Sequence, residues 1–214
     1  MAIDTKERIL DVAERLFADF GYNATSLRDI TREAGVNLAS VNYHFGSKEA
    51  LLAALLERRF AGINERRLTQ LDRAEAAAGP DGPGLEEIVR AFLAPPFEMR
   101  SEWGSSGQKF LRLVGRIHSE TDEIRQVFIQ LFQPCLSRFK AALQRALPDV
   151  GPDEVEWRAH FLVGAMAHTM TWCDSFQSRD QDAMLESLVR FGAAGMATPS
   201  GSPVEVHAPA RLSR

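Results

Sequence analysis

The stretch "GVNLASVNYHFGSKEALLAALLERR", residues 35–59, decides how this chain is interpreted. After Ser47 it has the apolar spacing of an amphipathic helix, whereas residues 37–45 form a run that is short and polar for a helix buried in a core. Asn37 and Ser47 are residue types that cap helix starts, and Gly35 suits the left-handed conformation that ends a helix. The pattern predicts a short helix after the glycine turn and a longer helix after Ser47.

A second short helix precedes the turn. Ser26 followed by Asp29 forms a capping-box pattern for a helix that extends through Ala34, so two short helices meet at "AGVN". This arrangement is the sequence pattern of a helix-turn-helix. Five apolar residues are expected to pack together behind the two helices: Leu16, Phe20, Ile30, Val41 and Phe45.

The other residues of the second short helix are expected to face outward. Small side chains allow a close approach to a DNA groove, and Asn, Ser, Tyr and His can hydrogen-bond base edges or phosphates. The pattern therefore predicts a recognition helix that binds DNA. Packing for Tyr43 and a structural hydrogen bond for His44 stay open as alternatives. The predicted DNA-binding residues of this segment are Asn37, Leu38, Ala39, Ser40, Asn42, Tyr43 and His44.

These segments resemble the DNA-binding domain of the TetR family of bacterial transcriptional regulators. The resemblance covers roughly residues 5–56 and rests on "FGY", "LRDI", "AGV" and "YHFGSKEALL" at their spacings. It implies an all-helical homodimer with a small N-terminal DNA-binding domain and a larger C-terminal domain that binds an effector. It also implies that Lys48 contacts a phosphate. The implied partner is a palindromic operator in double-stranded DNA, and repression is the family's usual outcome.

Charge alone does not explain DNA binding by this region. The whole chain has a formal charge of -4, and residues 1–48 contain six basic and seven acidic side chains. Bulk attraction to DNA is therefore weak. The positive ends of the helices that begin near Ser26 and Ser47 are expected to supplement Arg28 and Lys48 at the phosphates.

The chain as a whole is predicted to be all-helical, because apolar residues recur at spacings of three and four and strand signals are almost absent. Breaks such as "GPDGPG" at 79–84, "APP" at 94–96 and "LPDVGP" at 147–152 divide it into about nine helices. The predicted units are a helix-turn-helix DNA-binding domain over residues 1–46, an effector-binding and dimerisation domain over 47–197, and a disordered tail over 198–214.

The C-terminal region contains many large apolar residues. The resemblance implies a pocket inside a helical bundle, but a pocket wall and a plain core share the same spacing. A kink at Pro134, beside Phe132 and Phe139, is one way to open such a pocket. The candidate effector-binding residues are Phe92, Trp103, Phe110, Leu113, Phe128, Phe132, Phe139, Leu162, Met166 and Met170.

The wider chain is similar to the PsrA-like subgroup of this family, some members of which respond to fatty acids or acyl thioesters. The similarity rests on "VNLASVNYHFGSKEALL", on "ERR" and on "GQKFLRLVGRIHSE". It implies a small apolar effector, with a fatty acid or acyl-CoA as the candidate. Arg112 and Arg116 are the nearest candidates to meet an anionic head group, and surface charge is the alternative for both.

The long helix after Ser47 reaches about Ala78, so at about 1.5 Å per residue it spans about 45 Å and could join the two domains. Its arginines, Arg58, Arg59, Arg66 and Arg67, are expected to form a solvated face, and additional phosphate contact is the alternative.

Small residues among bulkier apolar ones mark the last two helices, a composition that allows close helix packing. A four-helix interface between two copies is therefore predicted. The candidate interface residues are Gly164, Ala167, Gly192 and Gly195.

Other classes of protein fit less well. No HExxH, GxSxG or glycine-rich phosphate loop is present, so neither an enzyme nor a bound cofactor is expected. Two alternatives remain, a metal-sensing regulator and a helix-turn-helix interaction module without an effector. The sequence contains neither an apolar run long enough for a membrane span nor the pattern of a secretory signal, and we expect the protein in the cytoplasm.

Overall fold

The computed structural model describes residues 4–104, 107, 110, 113–114, 122–172 and 180–201. Within these residues the ordered elements are helices and no strand occurs, so the all-helical prediction is confirmed. None of the described helices is long and apolar enough to cross a membrane. The α-helices are α1 Thr5–Phe20, α2 Leu27–Ala34, α3 Leu38–Phe45, α4 Lys48–Ala78, α5 Leu85–Trp103, α6 Asp122–Ala146, α7 Pro152–Trp172 and α8 Gln181–Ala197.

Local capping forms the N-terminal helices as predicted. The hydroxyl of Ser26 accepts a hydrogen bond from the backbone of Asp29, whose carboxylate accepts one from the backbone of Ser26. The side chains of Asn37 and Ser47 accept from amides at the starts of α3 and α4. Gly35 has φ 63° and ψ 37°, a left-handed conformation that favours glycine and allows the tight turn between α2 and α3.

The first hydrophobic core lies behind the helix-turn-helix. Ile30 and Val41 are fully buried there, as predicted. The inward position predicted for Phe20 is wrong, because α1 ends at this residue and its side chain is 61% exposed. Tyr22 instead packs beside Phe17, with ring centres 5.3 Å apart. The same core continues away from the helix-turn-helix through Phe60, Ile63, Met99, Phe110, Leu113 and Phe132.

A second core lies among α4, α5, α6, α7 and α8. The helix break predicted at residues 94–96 is wrong, because α5 continues through Pro95 and Pro96. Proline has no N–H, so Pro96 leaves the carbonyl of Phe92 without its helical donor. Arg67 of α4 replaces that donor, with its Nε 2.9 Å from the Phe92 oxygen. A side chain from another helix thus supplies the missing hydrogen bond.

Candidate DNA-binding surface and effector cavity

Helix α3 has one buried side and one exposed side. Val41 is fully buried, whereas Tyr43 is 86% exposed and Leu38 is 42% exposed. Asn37, Ala39 and Asn42 are also exposed, and Ser40 and His44 are half-buried. The structure therefore places the predicted DNA-binding residues of this segment on or beside one exposed surface.

The polar groups of this surface differ in how they are used within the chain. The Asn37 Oδ1 accepts hydrogen bonds from the backbone and hydroxyl of Ser40 at 2.8 and 2.9 Å, so it is occupied with capping α3. The Tyr43 ring lies edge-on to His44, with centres 5.2 Å apart. The side chain of Asn42 makes no hydrogen bond to any other described residue, whereas its backbone carbonyl accepts one from Gly46. Of these residues, Asn42 therefore has an exposed side-chain amide that is not used within the described part of the chain.

The start of α2 carries both signs of charge. Arg28 is exposed and forms no ion pair within the described residues. Asp29 accepts hydrogen bonds from Ser26 and from Arg32, the latter at 2.7 Å. The hydrogen bonds from Ser26, followed by that from Arg32, lower the pKa of Asp29. Arg28 therefore sits beside a carboxylate that is ionised and already engaged in capping the helix.

The start of α4 is bound to the segment after α1. Lys48 is half-buried, and its ammonium donates to the Tyr22 carbonyl. The hydroxyl of Tyr22 in turn donates to the Oε1 of Glu49 at 2.9 Å. A hydrogen bond from its own backbone amide, followed by those from the side chains of Ser47 and Tyr22, lowers the pKa of Glu49. The first two residues of α4 are thus held close to the helix-turn-helix.

The solvated face predicted for the arginines of α4 is wrong for three of them. Arg67 is fully buried, and only Arg66 lies at the surface as predicted. Arg58 and Arg59 both bind Glu14 of α1, at 3.0 and 2.6 Å. Glu14 is 4% exposed, so its negative charge explains why two arginines turn toward α1 rather than toward solvent. These contacts join α4 to the helix-turn-helix region.

An apolar cavity of about 50 Å³ lies between α4, α5, α6 and α7. Five of its lining residues are among the predicted effector residues: Trp103, Phe110, Phe132, Met166 and Met170. The contribution of α4 and of two basic residues was not predicted, because periodicity does not show which helix turns face each other. The missed lining residues include Phe60, Ile63, Arg67, Pro96, Arg100, Val163 and Thr171.

Other predicted effector residues lie elsewhere. Three of them line a separate cavity of about 10 Å³ in the second core: Phe92, Phe139 and Leu162. Their assignment to one pocket with the others is wrong, because the two cavities share no lining residue; the Arg67 guanidinium contacts both the Phe92 ring, at 4.1 Å, and the Phe132 ring, at 5.6 Å. Leu113 is a buried residue of the first core. The side chain of Phe128, and Arg112 and Arg116, lie outside the described residues.

Arg67 is the most unusual residue of the apolar cavity. Its Nη1 lies 3.2 Å from the Asn64 Oδ1 and its Nη2 lies 3.3 Å from the Met166 sulfur, in addition to the bond to Phe92. No carboxylate of the described residues pairs with it. Burial lowers the pKa of Arg67 to about 10, which leaves it protonated at neutral pH. A second arginine on the cavity wall, Arg100, is 7% exposed.

Besides the shared hydrophobic core, a polar side chain, Arg59, joins the aromatic wall of the cavity to α1. The guanidinium of Arg59 lies 4.8 Å from the Trp103 ring centre and 5.9 Å from that of Phe110. The same guanidinium donates to Glu14 of α1 through Nε, at 3.0 Å, and Nη2, at 2.6 Å. We call this connection the Glu14–Arg59–Trp103 path. It is continuous from α1 to the cavity wall.

The predicted dimer residues do not share one environment. Gly164 and Gly195 are exposed, and Ala167 is half-buried at the cavity. The assignment of Gly192 to an interface is wrong, because it is buried within the chain, where an added Cβ would lie 2.6 Å from the Leu162 Cδ1. Three large apolar residues on α7 and α8 that were not predicted for the interface are 61%, 71% and 69% exposed, namely Trp157, Phe161 and Phe191.

The described part of the chain holds no group of three His, Cys, Asp or Glu side chains that could bind a metal ion. The metal-sensing alternative therefore has no candidate site in that part.

Comparison with known proteins adds a family assignment. Residues 9–55 match the description "Bacterial regulatory proteins, tetR family", and residues 90–195 match "Tetracyclin repressor-like, C-terminal domain". An HTH-type transcriptional regulator of Bacillus subtilis, YerO, is 28% identical over 140 residues, which cover 65% of this chain and 46% of YerO. The chain spans less than half the length of the curated relatives it matches.

Two solved structures are similar in fold. The fatty acid degradation regulator FadR from Bacillus halodurans has a TM-score of 0.68 at 16% identity and covers 92% of this chain and 98% of its own. The transcriptional regulator FadR from Bacillus subtilis, solved in complex with stearoyl-CoA, has a TM-score of 0.68 at 18% identity and covers 88% and 98%. At these identities the likeness concerns the fold.

Proposed function

The chain belongs to the TetR family of bacterial regulatory proteins, and we propose that it is a DNA-binding transcriptional regulator. It acts as a homodimeric repressor that a small apolar effector releases from a palindromic operator. The observation that carries the proposal is the exposed polar side of α3 on a fully capped helix-turn-helix. This function requires the protein to act where chromosomal DNA is, in the cytoplasm.

The DNA contact follows from the shape and chemistry of α3. Its outward side chains are small or can hydrogen-bond, so the helix can enter a major groove with Asn42 at base edges. Arg28, Lys48 and the N-terminal ends of α2 and α4 contact phosphates on either side. In a two-fold dimer the half-sites are inverted, with centres about 34 to 36 Å apart or a multiple of that distance.

The homodimer is supported by the exposed apolar side chains of α7 and α8. Trp157, Phe161 and Phe191 are each more than 60% exposed in a single chain, and a second copy would remove this apolar surface from water. Exposed Gly164 and Gly195 allow the helices of the partner to approach closely. Sedimentation of Phe161→Asp tests this surface, because a charge at its centre should produce monomers that remain folded.

The effector is assigned to the apolar cavity. Its walls are mainly aromatic and aliphatic, which suits an acyl chain. The two FadR regulators of similar fold, one described by fatty acid degradation and one bound to stearoyl-CoA, support an acyl effector for this chain as well.

The size of the cavity suggests how an effector would release the protein from its operator. About 50 Å³ is far less than the 300–1,000 Å³ or so of a typical ligand pocket, so an acyl ligand must favour a form in which wall residues have moved. Displacement of Trp103 would disturb its contact with Arg59 and, through the Glu14–Arg59–Trp103 path, the position of α1. The ligand then lowers DNA affinity by its differential affinity for the two forms, and DNA lowers ligand affinity by the same factor.

The decisive experiment is selection of bound fragments from random double-stranded DNA, followed by footprinting. The proposal expects an inverted repeat, and it expects Asn42→Ala to change base preference by about 1 to 3 kcal/mol at one position of each half-site. Enrichment of no sequence would favour the helix-turn-helix interaction module instead. A footprint on one asymmetric half-site would contradict the dimer.

A further inference from the structure

We propose that the effector is a free carboxylic acid with an apolar body, and that Arg67 and Arg100 bind its carboxylate inside the apolar cavity. The proposal rests on the proposed function and names the chemical class of its ligand. It distinguishes a free acid from an acyl thioester, whose carbonyl end carries no negative charge.

The buried charge of Arg67 on the wall of an otherwise apolar cavity requires an explanation. Arg67 is 1% exposed and Arg100 is 7% exposed, and both line the same space. A buried charge destabilises a protein unless an opposite charge or hydrogen bonds compensate for it. Arg67 has no acidic partner among the described residues, so its positive charge meets only neutral groups. An anion in the cavity would supply the missing opposite charge.

A purely structural role accounts for only part of the Arg67 side chain. The carbonyl that Pro96 leaves without a donor needs one hydrogen bond, and Nε provides it. A guanidinium has five N–H donors in a planar fork that matches a carboxylate. One donor goes to Phe92, one to Asn64 and one to the weakly accepting sulfur of Met166. Two N–H groups and the sulfur-facing donor can therefore serve a ligand.

The other side chains of the cavity wall indicate the chemistry of the rest of the ligand. Phe60 forms edge-on contacts with Phe110, at 5.1 Å between ring centres, and with Phe132, at 4.5 Å. On the other side, Met166 and Met170 are long, unbranched side chains that can adapt to a ligand's shape. An acid with a single charged end and a hydrocarbon body satisfies both the arginines and this apolar wall. A neutral hydrocarbon would leave the buried charge uncompensated.

The test compares ligands that differ only at the head group. Calorimetric titration of the full chain with decanoate, decanamide and decanoyl-CoA should give at least 10-fold tighter binding of decanoate than of the other two. Titration with a series of acids from hexanoate to palmitate determines which length of hydrocarbon chain binds. Arg67→Met and Arg100→Met should each reduce decanoate affinity at least 10-fold and leave decanamide affinity within 2-fold. Arg67→Lys, which keeps the charge without the fork, should fall between wild type and Arg67→Met.

The matched control is Arg66→Met, which removes the neighbouring arginine at the surface of α4 and should leave decanoate affinity unchanged. Circular dichroism verifies that each variant is folded, and Arg100→Met carries the test if Arg67→Met does not fold. Equal binding of decanoate and decanamide, preference for decanoyl-CoA, or absence of binding across the acid series would each overturn the proposal. If decanoate binds through the arginines but leaves DNA affinity unchanged, the ligand class stands and release by an effector fails.

Discussion

The ammonium nitrogen of Lys48 lies 2.6 Å from the carbonyl oxygen of Tyr22 and 4.0 Å from the centre of its ring. The first residue of α4 is therefore fixed by the segment between α1 and α2, before any DNA is bound. A side chain held in this way loses little conformational freedom on binding a phosphate.

Lys48→Ala should weaken binding to all DNA sites by a similar factor, because a phosphate contact carries no sequence information. The slope of log affinity against log salt concentration should fall by about 1. Lys140→Ala removes the same charge from α6, where Lys140 pairs with Glu156, and should leave the slope unchanged. A Lys48→Ala protein that loses affinity for only one sequence would contradict the phosphate contact.

Arg59→Met should reduce the coupling between effector and DNA, because it breaks the Glu14–Arg59–Trp103 path. The coupling free energy is obtained from the operator affinities measured without and with saturating decanoate. It should fall by about 0.5 to 2 kcal/mol. Arg58→Met is the matched control, since Arg58 also binds Glu14 but makes no contact with Trp103 in the described structure. Equal loss of coupling in both variants would show that Glu14 contacts alone matter.

The hydrogen bond from Arg67 to Phe92 should be needed only while Pro96 is present. Arg67→Met should reduce the free energy of unfolding by about 1 to 3 kcal/mol in the natural sequence, because it leaves a buried carbonyl without a donor. In a Pro96→Ala background the new amide replaces the donor, and the loss should shrink by about 1 kcal/mol or more. Pro95→Ala frees no partner for Phe92 and serves as the control. Urea denaturation of the four proteins of the cycle measures the difference.

Two glycines of α8 should respond to alanine in opposite directions. Gly192→Ala should destabilise the fold by about 1 to 3 kcal/mol, since the new methyl group would overlap Leu162 and lie 3.2 Å from a Val89 methyl carbon. Gly195→Ala meets no atom of its own chain within 4 Å, so in the monomeric Phe161→Asp background it should stabilise the helix by about 0.5 to 1 kcal/mol. Thermal unfolding followed by circular dichroism compares the two. A stabilised Gly192→Ala protein would refute the close packing of α8 on α7.

The DNA-binding region could be predicted from sequence because its determinants are local. Ser26, Asn37 and Ser47 each bond amides within three residues, and Gly35 turns the chain through its own backbone. The burial of Phe20 was predicted wrongly, because a spacing pattern does not show at which residue of α1 the contacts with neighbouring helices end. The capping residues thus predict the helices, and tertiary packing decides which of their side chains are buried.

The cavity could be predicted only in part because its determinants are distant in sequence. The burial of Arg67 depends on a proline 29 positions later along the chain, and on where α5 packs against α4. Arginines at this spacing on a helix are typical of a solvated surface, so the composition of α4 suggested the opposite environment. Trp103 and Phe132 line the cavity as expected, because large aromatic residues in a helical bundle are buried in either a core or a pocket wall.

The continuity of α4 determines how this protein unfolds. Its N-terminal half supplies Leu52 and Leu55 to the core behind the helix-turn-helix, and its middle supplies Phe60, which packs against Phe132 of α6. Melting the DNA-binding end would therefore expose residues that also hold the C-terminal helices together. We therefore expect the two regions to unfold as one cooperative unit, and an isolated helix-turn-helix fragment cut within α4 would lose part of its own core.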